Sequence, residues 1–169
     1  DAANNGDTIL IWGRQDASII QLDNKTAVTL KAAPAKQLPA GCQPEIAGSL
    51  RVLNSQQIHI SDITFNDSLW IDHSYHITLE HATVQHSGGD GILIGMAGHQ
   101  TSSDIIIQHT VITGNNGAGI SLNEAQKVEL KHNLIAHNGG QGVEMYHVVQ
   151  GNISANTIKH NGGAGLAVR

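Results

Sequence analysis

The chain contains 169 residues, carries a formal net charge of −5 at pH 7 and has 40% hydrophobic, 14% charged and 3% aromatic residues. This length fits one domain, and the acidic balance argues against nucleic acid as a partner. The low charge, the 3 prolines and the single cysteine exclude charge-driven disorder, a proline-rich linker, a coiled coil and a disulfide-stapled miniprotein. With so few aromatic residues, the core has to consist of Ile, Val, Leu and Ala, which predicts a narrow, regular fold with β-branched layers.

The amino-terminal part begins with short apolar runs at 6–11 and 28–34. The stretch 33–47 contains Pro39 and Pro44 and is predicted to be an irregular loop, because prolines would forfeit ladder hydrogen bonds. We therefore predict a single domain over 1–169, with amino-terminal coils and this loop in 1–47 and regular repeats in 48–169. No apolar run approaches the roughly 18 residues that a membrane span requires, so no span is predicted.

An internal repeat dominates the rest of the sequence. Four segments nearly superimpose: 84–92 (VQHSGGDGI), 112–120 (ITGNNGAGI), 135–143 (IAHNGGQGV) and 158–166 (IKHNGGAGL). A short period-two run precedes each segment, and one further run lies before the first of these. The five runs begin at Ile58, Ile77, Ile105, Val128 and, more weakly, Gly151. Their starting positions advance by 19, 28, 23 and 23 residues, so the unit is about 23 residues with one deletion and one insertion.

The runs indicate short strands, because three to five residues of period two broken by Gly and Asn are too short for helices. Three strands per repeat with identical turns cannot alternate as hairpins, so they stack in parallel, about 4.8 Å apart. The pattern predicts a parallel β-helix of about seven coils and a height near 34 Å. Asn133 and Asn156 share one repeat position, where Asn tolerates the left-handed conformation and bonds along a stack of like side chains.

These motifs resemble the right-handed parallel β-helix repeat proteins of the pectate-lyase superfold, through the pattern I-x-I-x-x-N-x-I-x-x-N-G-G-x-G-I over 48–169. Segments 6–11, 28–34 and 49–66 are similar to the first coils of secreted polysaccharide-acting members. The resemblance implies an all-β, right-handed, single-stranded parallel β-helix, a polysaccharide partner, and a secreted, periplasmic or cell-surface location. The superfold includes lyases, hydrolases, epimerases and noncatalytic proteins, so the fold assigns no reaction.

Stacking converts equivalent positions of successive repeats into columns. On the strand after the glycine turn, the predicted outward column is Trp70, Leu93, Ser121, Glu144 and Ala167. In the resembled enzymes this sheet tends to form the substrate groove. The candidate substrate-binding residues on it are Trp70, Asp72, His73, Asn123 and Arg169, and the candidate catalytic residues are Glu124, Glu144, Tyr146 and His147. Five extra residues lie within the segment 95–103, directly after this strand. We therefore expect His99 to lean over the groove.

Two reactions fit these residue types, and in both of them a sugar ring would stack on the indole ring of Trp70. Hydrolysis of a glycosidic bond needs two carboxyls about 5–5.5 Å or 6.5–9.5 Å apart, and Glu124 and Glu144 lie one coil apart. A β-elimination or epimerisation on a uronic acid needs a group that removes the proton α to the carboxylate and a cation or amide that neutralises it. The candidates for that chemistry are Tyr146, His147, Asn123 and Arg169. The alternative is that the same face is an ordinary solvated sheet.

The histidines form two columns: His81, His109 and His132 in one, and His137 and His160 in the other. Stacked imidazoles chelate a divalent metal (Ca²⁺ or Zn²⁺) if their rings tilt together. The interpretation that we favour is a ladder of surface rings at a turn, so we assign no metal ligand and no certain cofactor. Asp90 resembles the first-sheet acid of polygalacturonases, but we favour a turn aspartate that bonds its own backbone.

The sequence therefore favours a carbohydrate-active β-helix that binds, and cleaves or epimerises, an acidic polysaccharide on the sheet after the glycine turns. The alternative is a noncatalytic glycan-binding or structural module of a larger secreted or surface protein. The chain stops at GLAVR, in a strand position without a polar cap. Because solenoids need caps to stay soluble, this predicts either end-to-end self-association or the remainder of a longer chain.

Overall fold

A computed structural model describes residues 3–96, 98 and 100–169, and they form three parallel sheets of seven strands each. Sheet 1 contains β1 (Thr8–Ile11), β4 (Thr29–Ala32), β7 (Gln56–Ser61), β10 (Tyr75–Glu80), β13 (Ser103–Gln108), β16 (Gln126–Lys131) and β19 (Asn152–Ser154). Sheet 2 contains β2 (Arg14–Gln15), β5 (Glu45–Ile46), β8 (Thr64–Phe65), β11 (Thr83–Gln85), β14 (Val111–Thr113), β17 (Leu134–Ala136) and β20 (Thr157–Lys159). Sheet 3 contains β3 (Ile19–Asp23), β6 (Ser49–Leu53), β9 (Leu69–Asp72), β12 (Ile92–Ile94), β15 (Ile120–Asn123), β18 (Val143–Tyr146) and β21 (Leu166–Val168). The predicted parallel β-helix of about seven coils is confirmed.

The core is a stack of aliphatic layers, one per coil. Ile92 of β12 lies opposite Leu69 on one side and Ile120 on the other, and all three side chains are fully buried. Phe65 is the one large aromatic side chain among the fully buried residues of the described chain. Strand residues alternate between inside and outside, as the period-two runs predict. Leu166 and Val168 continue the inward columns but are 47% and 70% exposed on the last coil.

Left-handed backbone at the corners explains the unusual histidine content. Among the described residues, nine histidines have a positive φ, and a further corner position is held by Gly114 with φ 67°. The nine are His73, His76, His81, His86, His109, His132, His137, His147 and His160. His is among the non-glycine residues enriched in this conformation, together with Asn and Asp. Most histidines of the chain are therefore placed where the coil must turn, which is a structural requirement rather than a sign of chemistry.

Two asparagine ladders hold the corners beside sheet 2. Asn115 Nδ2 donates to Asn138 Oδ1 at 2.9 Å, and Asn138 Nδ2 donates to Asn161 Oδ1 at 3.0 Å. The predicted ladder is confirmed at the other corner, where Asn133 Nδ2 donates to Asn156 Oδ1 at 3.0 Å. Each side chain satisfies backbone groups of neighbouring coils that the sheets leave unpaired.

The predicted irregular stretch 33–47 is more ordered than expected. It contains a 3-10 helix at Ala35–Gln37 and ends in strand β5, which pairs with β8 of sheet 2. Cys42 lies in this loop, where its thiol donates to the carbonyl of Trp12 at 3.2 Å. Within the described residues, no helix has the length and apolar character to cross a membrane.

Candidate functional site

The outward face of sheet 3 carries the predicted column in register. Trp70 lies opposite Leu93, and the column continues through Ser121 and Glu144 to Ala167. On the amino-terminal side, Trp70 lies opposite Arg51 of β6. Sequence comparison of the glycine-turn repeats missed Arg51 because it precedes them. The sequence contained one indication that Arg51 shares a column with Trp70. The two residues are 19 positions apart, as are Ile58 and Ile77, which begin successive runs.

Arg51 and Trp70 form a cation–π pair at the surface. The guanidinium carbon lies 5.2 Å from the centroid of the indole ring. Trp70 is half-buried, and its Nε1 has no hydrogen-bond acceptor among the described residues. The pair therefore presents a cation beside an aromatic surface on an otherwise weakly charged sheet.

Two hollows flank Trp70, one toward each end of the strand. The start-side hollow, about 410 Å³, is lined by Arg51, Ser68, Asp90 and other residues where the strands begin. The end-side hollow, about 480 Å³, is lined by Asn54 and His73 and others where the strands end. Trp70 lines both, so the two hollows meet at the indole ring.

The end-side hollow contains two predicted substrate-binding residues. Asp72 is 7% exposed and lines the hollow. His73 Nδ1 lies 2.7 Å from Asn54 Oδ1, which fixes the imidazole at the rim. Gly98 and Gln100 of the predicted insertion form another part of the wall. The insertion therefore shapes this hollow, whereas His99, predicted to lean over the groove, lies outside the described residues.

The start-side hollow contains two carboxylates in adjacent coils. Asp67 Oδ2 accepts a hydrogen bond from Ser49 Oγ at 3.0 Å, and its Oδ1 accepts one from the Ser68 N–H at 2.8 Å. Asp90 Oδ1 accepts a hydrogen bond from the N–H of Ala118 at 2.7 Å. Asp90 is thus a turn aspartate, but it bonds the backbone of the next coil rather than its own turn. The sequence interpretation did not include Asp67, although it stands 23 residues before Asp90 and precedes a matching strand.

A second group of predicted residues lies toward the carboxyl-terminal end of the same face. Arg169 Nη1 donates a hydrogen bond to the Tyr146 hydroxyl oxygen, and its Nη2 lies 3.4 Å from Glu144 Oε1. The guanidinium carbon is 5.3 Å from the centroid of the Tyr146 ring. Asn123 lies opposite Tyr146 in register. His147 follows at the exposed corner, so four predicted residues adjoin Tyr146.

Glu124 occupies the corresponding corner of the preceding coil and faces the insertion. Its carboxylate oxygens lie 3.3 and 3.4 Å from the backbone nitrogen of Gly98, which donates to them. Glu124 is offset from Glu144 by one strand and three residues, a Cα separation of roughly 11 Å at ordinary strand spacings. The structure therefore places the two carboxylates in different surroundings, one against the insertion and one against Arg169.

The predicted site residues thus fall into two groups rather than one. Three strand steps separate Trp70 from Glu144, which corresponds to about 14 Å. Trp70, Asp72 and His73 belong to the first group, and the residues around Tyr146 belong to the second. The first group adjoins the two hollows described above, and the second is a surface cluster around an ion pair.

The histidine columns are stacked as predicted. The rings of His81 and His109 have centroids 5.2 Å apart with an interplanar angle of 10°, and those of His109 and His132 are 5.0 Å apart at 4°. His137 and His160 stack at 5.2 Å. Within 3–96, 98 and 100–169, no group of three or more His, Cys, Asp or Glu side chains is arranged to hold a metal ion. Parallel rings do not converge on one point, so these columns are ladders in the described chain.

A third hollow, about 510 Å³, lies on the outward face of sheet 1. Its rim includes an ion pair between Lys127 Nζ and Asp104 Oδ1 at 3.5 Å. A hydrogen bond from Ser103 lowers the pKa of Asp104, with a smaller contribution from Lys127. Acidic and basic groups are interspersed here, and none of its described lining residues is a Trp, Tyr or Phe, so this hollow lacks the aromatic surface that Trp70 provides on sheet 3.

Comparison with known proteins bears on the fold. No curated protein sequence matches the chain. A solved structure, the A-module of a mannuronan C-5 epimerase from Azotobacter vinelandii, superposes with a TM-score of 0.46 at 10% sequence identity, covering 96% of this chain and 65% of that one. The chain thus spans just under two thirds of that module. The family profile described as "Right handed beta helix region" matches residues 48–169, and the chain belongs to this family.

Proposed function

We propose that the protein binds an acidic polysaccharide on the outward face of sheet 3, at the Arg51–Trp70 pair. The observation that carries the proposal is the position of this pair between two hollows that meet at the indole ring. An aromatic face packs against the apolar C–H surface of a sugar ring, as aromatic side chains do in other amphipathic contacts. A guanidinium recognises a carboxylate through two parallel N–H donors, which suits a uronic acid.

Arg51 supplies a cation for an anionic ligand, although Asp67 and Asp90 line the same hollow and the net charge of the chain is −5. Ser49 and Ser68 stand near Arg51, and the Ser68 hydroxyl oxygen is placed to accept a hydrogen bond from a sugar hydroxyl. The nearby Asp67 is already hydrogen-bonded to both serines' polar groups. Arg51 itself is in contact with a neutral ring and has no ion-pair partner within the described residues. Its charge is therefore available to a ligand.

Titration calorimetry with sodium polygalacturonate, alginate and neutral dextran tests the proposal. We expect binding of at least one uronate polymer, no binding of dextran, and an affinity that falls with added salt because exposed charges are screened. Arg51→Gln should weaken binding about 10- to 100-fold, the value of a hydrogen bond to a charged group. The matched control is Lys131→Gln, which removes a cation of sheet 1 that is paired with Glu129.

The outcome that contradicts the proposal is equal affinity in the Arg51 and Lys131 variants. Such a result would mean that net charge, rather than the pair on sheet 3, governs binding. Trp70→Phe supplies a second check, since it keeps an aromatic ring but reduces the stacking area. We expect a several-fold loss, with a melting temperature close to that of the wild type.

A second candidate function is proton transfer at Tyr146, as in a uronate lyase or epimerase. The specific observation is the Arg169 guanidinium, which donates to the Tyr146 hydroxyl oxygen and carries the positive charge that a substrate carboxylate needs. His147 and Asn123 adjoin it on either side. In this function a phenolic or imidazole base removes the proton α to the carboxylate.

Incubation of uronate polymers in deuterated buffer distinguishes binding from catalysis. A lyase yields an unsaturated product that absorbs in the ultraviolet, and an epimerase incorporates solvent deuterium at the carbon that bears the carboxylate. Either signal should be lost in Tyr146→Phe and reduced in His147→Ala. Neither signal from the wild-type protein, with binding intact, would refute the catalytic candidate and leave the binding function.

A further inference from the structure

The two hollows beside Trp70 lie toward opposite ends of its strand, and the start-side hollow also reaches one strand to either side of Trp70, to Arg51 and Leu93. The start-side hollow is lined by Ser68, at the beginning of β9, and the end-side hollow by His73, just after its end. These two positions are five residues apart, or roughly 17 Å at the rise of an extended strand. The concave surface at Trp70 is therefore elongated across sheet 3.

Along the stack the surface changes character within two strands of Trp70. Leu93 is the next residue of the column and still lines the start-side hollow. Ser121 follows and is only 5% exposed. Glu144 comes next and is engaged by Arg169 at 3.4 Å. Neither Ser121 nor Glu144 lines either hollow, so the depression at Trp70 does not continue toward the second group of residues.

The end-side hollow has a wall that the start-side hollow lacks. Gly98 and Gln100 of the insertion line it, opposite the corner formed by Asn54 and His73. The backbone of Gly98 also donates to the Glu124 carboxylate two coils from His73. This contact ties the insertion to the body of the β-helix.

We propose that the bound polysaccharide lies across sheet 3, parallel to β9, with one sugar over Trp70 and its neighbours in the two hollows. Gly98 and Gln100 of the insertion form the wall that confines the ligand on the end side. This inference rests on the proposed binding function and specifies which residues contact the neighbouring sugars of the ligand. Ser68 contacts the sugar on the start side, and His73 contacts it on the end side.

Two pairs of substitutions separate this orientation from one along the stack. Across the sheet, Ser68→Ala removes a hydroxyl whose recorded partner is the Ser49 hydroxyl at 3.3 Å, and His73→Asn retains a residue that tolerates a positive φ. Along the stack, Gln21→Ala and Ser121→Ala alter residues of the same outward column on either side of the Arg51–Trp70 pair. Affinity for a short oligogalacturonate is measured by calorimetry, and melting temperatures verify that all four variants are folded.

We expect each substitution across the sheet to weaken binding at least fivefold and each substitution along the stack to change it less than twofold. The reverse pattern would overturn the orientation and leave the proposed binding function intact, provided that Arg51→Gln still weakens binding. Equal losses in both pairs, or no loss in either, would also overturn it. Failure of the wild-type protein to bind any uronate polymer would refute the binding function itself and, with it, the orientation.

Discussion

Substitution of Asn138 by Ala removes the central member of the longer asparagine ladder. The Asn138 side chain donates to the carbonyl of Ile112 at 3.2 Å and to Asn161 Oδ1 at 3.0 Å. Its Oδ1 accepts from the N–H and from the Nδ2 of Asn115, at 3.2 and 2.9 Å. Asn138 is 2% exposed, so water does not replace these partners without rearrangement.

The magnitude follows from the buried groups that lose a partner. Each buried donor or acceptor left unsatisfied costs about 1–3 kcal/mol. Two such groups, the N–H of Asn115 and the carbonyl of Ile112, give about 2–6 kcal/mol. For a chain of this size each kcal/mol lowers the melting temperature by about 2–4 °C, so we expect a fall of about 4–24 °C.

Equilibrium denaturation by urea, monitored by circular dichroism, measures this loss. The matched control is Asn161→Ala, which removes the same side chain from the half-buried end of the ladder, where water reaches the freed groups. We expect the control to lose less than half as much stability. A loss below about 1 kcal/mol for Asn138→Ala, or a larger loss for the control, would refute the argument that the buried ladder stabilises the stack.

Two further predictions concern the corners and the surface. Gly142→Ala should destabilise the fold by more than about 2 kcal/mol in urea denaturation, because a Cβ there would lie 2.6 Å from the carbonyl oxygen of Gly165. Asp104→Asn should lower the free energy of unfolding slightly at pH 7, and the difference from the wild type should shrink as the pH falls below the ordinary pKa of an aspartate. The pKa of this carboxylate is lowered by a hydrogen bond from Ser103, so its contribution is present above the unfolded pKa and lost as the pH falls through the folded one.

Each of these predictions has a direct control. For the glycine, Gly88→Ala should be nearly neutral, since a Cβ at Gly88 meets no atom within 4 Å. For Asp104, a stability difference from the wild type that persists unchanged at pH 3 would show that the carboxylate charge is not its cause.

The fold was predictable because its signals are local and repeated. Period-two runs, glycine turns and the 23-residue spacing together specify parallel stacking, and the strand register confirms the column through Trp70, Leu93 and Ser121. The reason for the histidine content was not predictable from spacing. It depends on left-handed backbone at the corners, which becomes visible only when φ is known.

The candidate site was predictable only in part. The sequence assigned the outward face correctly, but distance along the stack divides its residues into two groups. Arg51 was missed because it lies before the glycine-turn repeats, and Asp67 because the strand that follows it is preceded by no glycine turn. The partner of Glu124 was not predictable either, because the insertion that contacts it has no counterpart in the other repeats.

The most direct test of the account is the calorimetric affinity for polygalacturonate of the wild-type protein, Arg51→Gln and Lys131→Gln at one low ionic strength. The account predicts a loss of about 10- to 100-fold for the Arg51 variant and less than twofold for the Lys131 variant. Equal affinities in all three proteins, or no binding by the wild type to any uronate polymer, would contradict it.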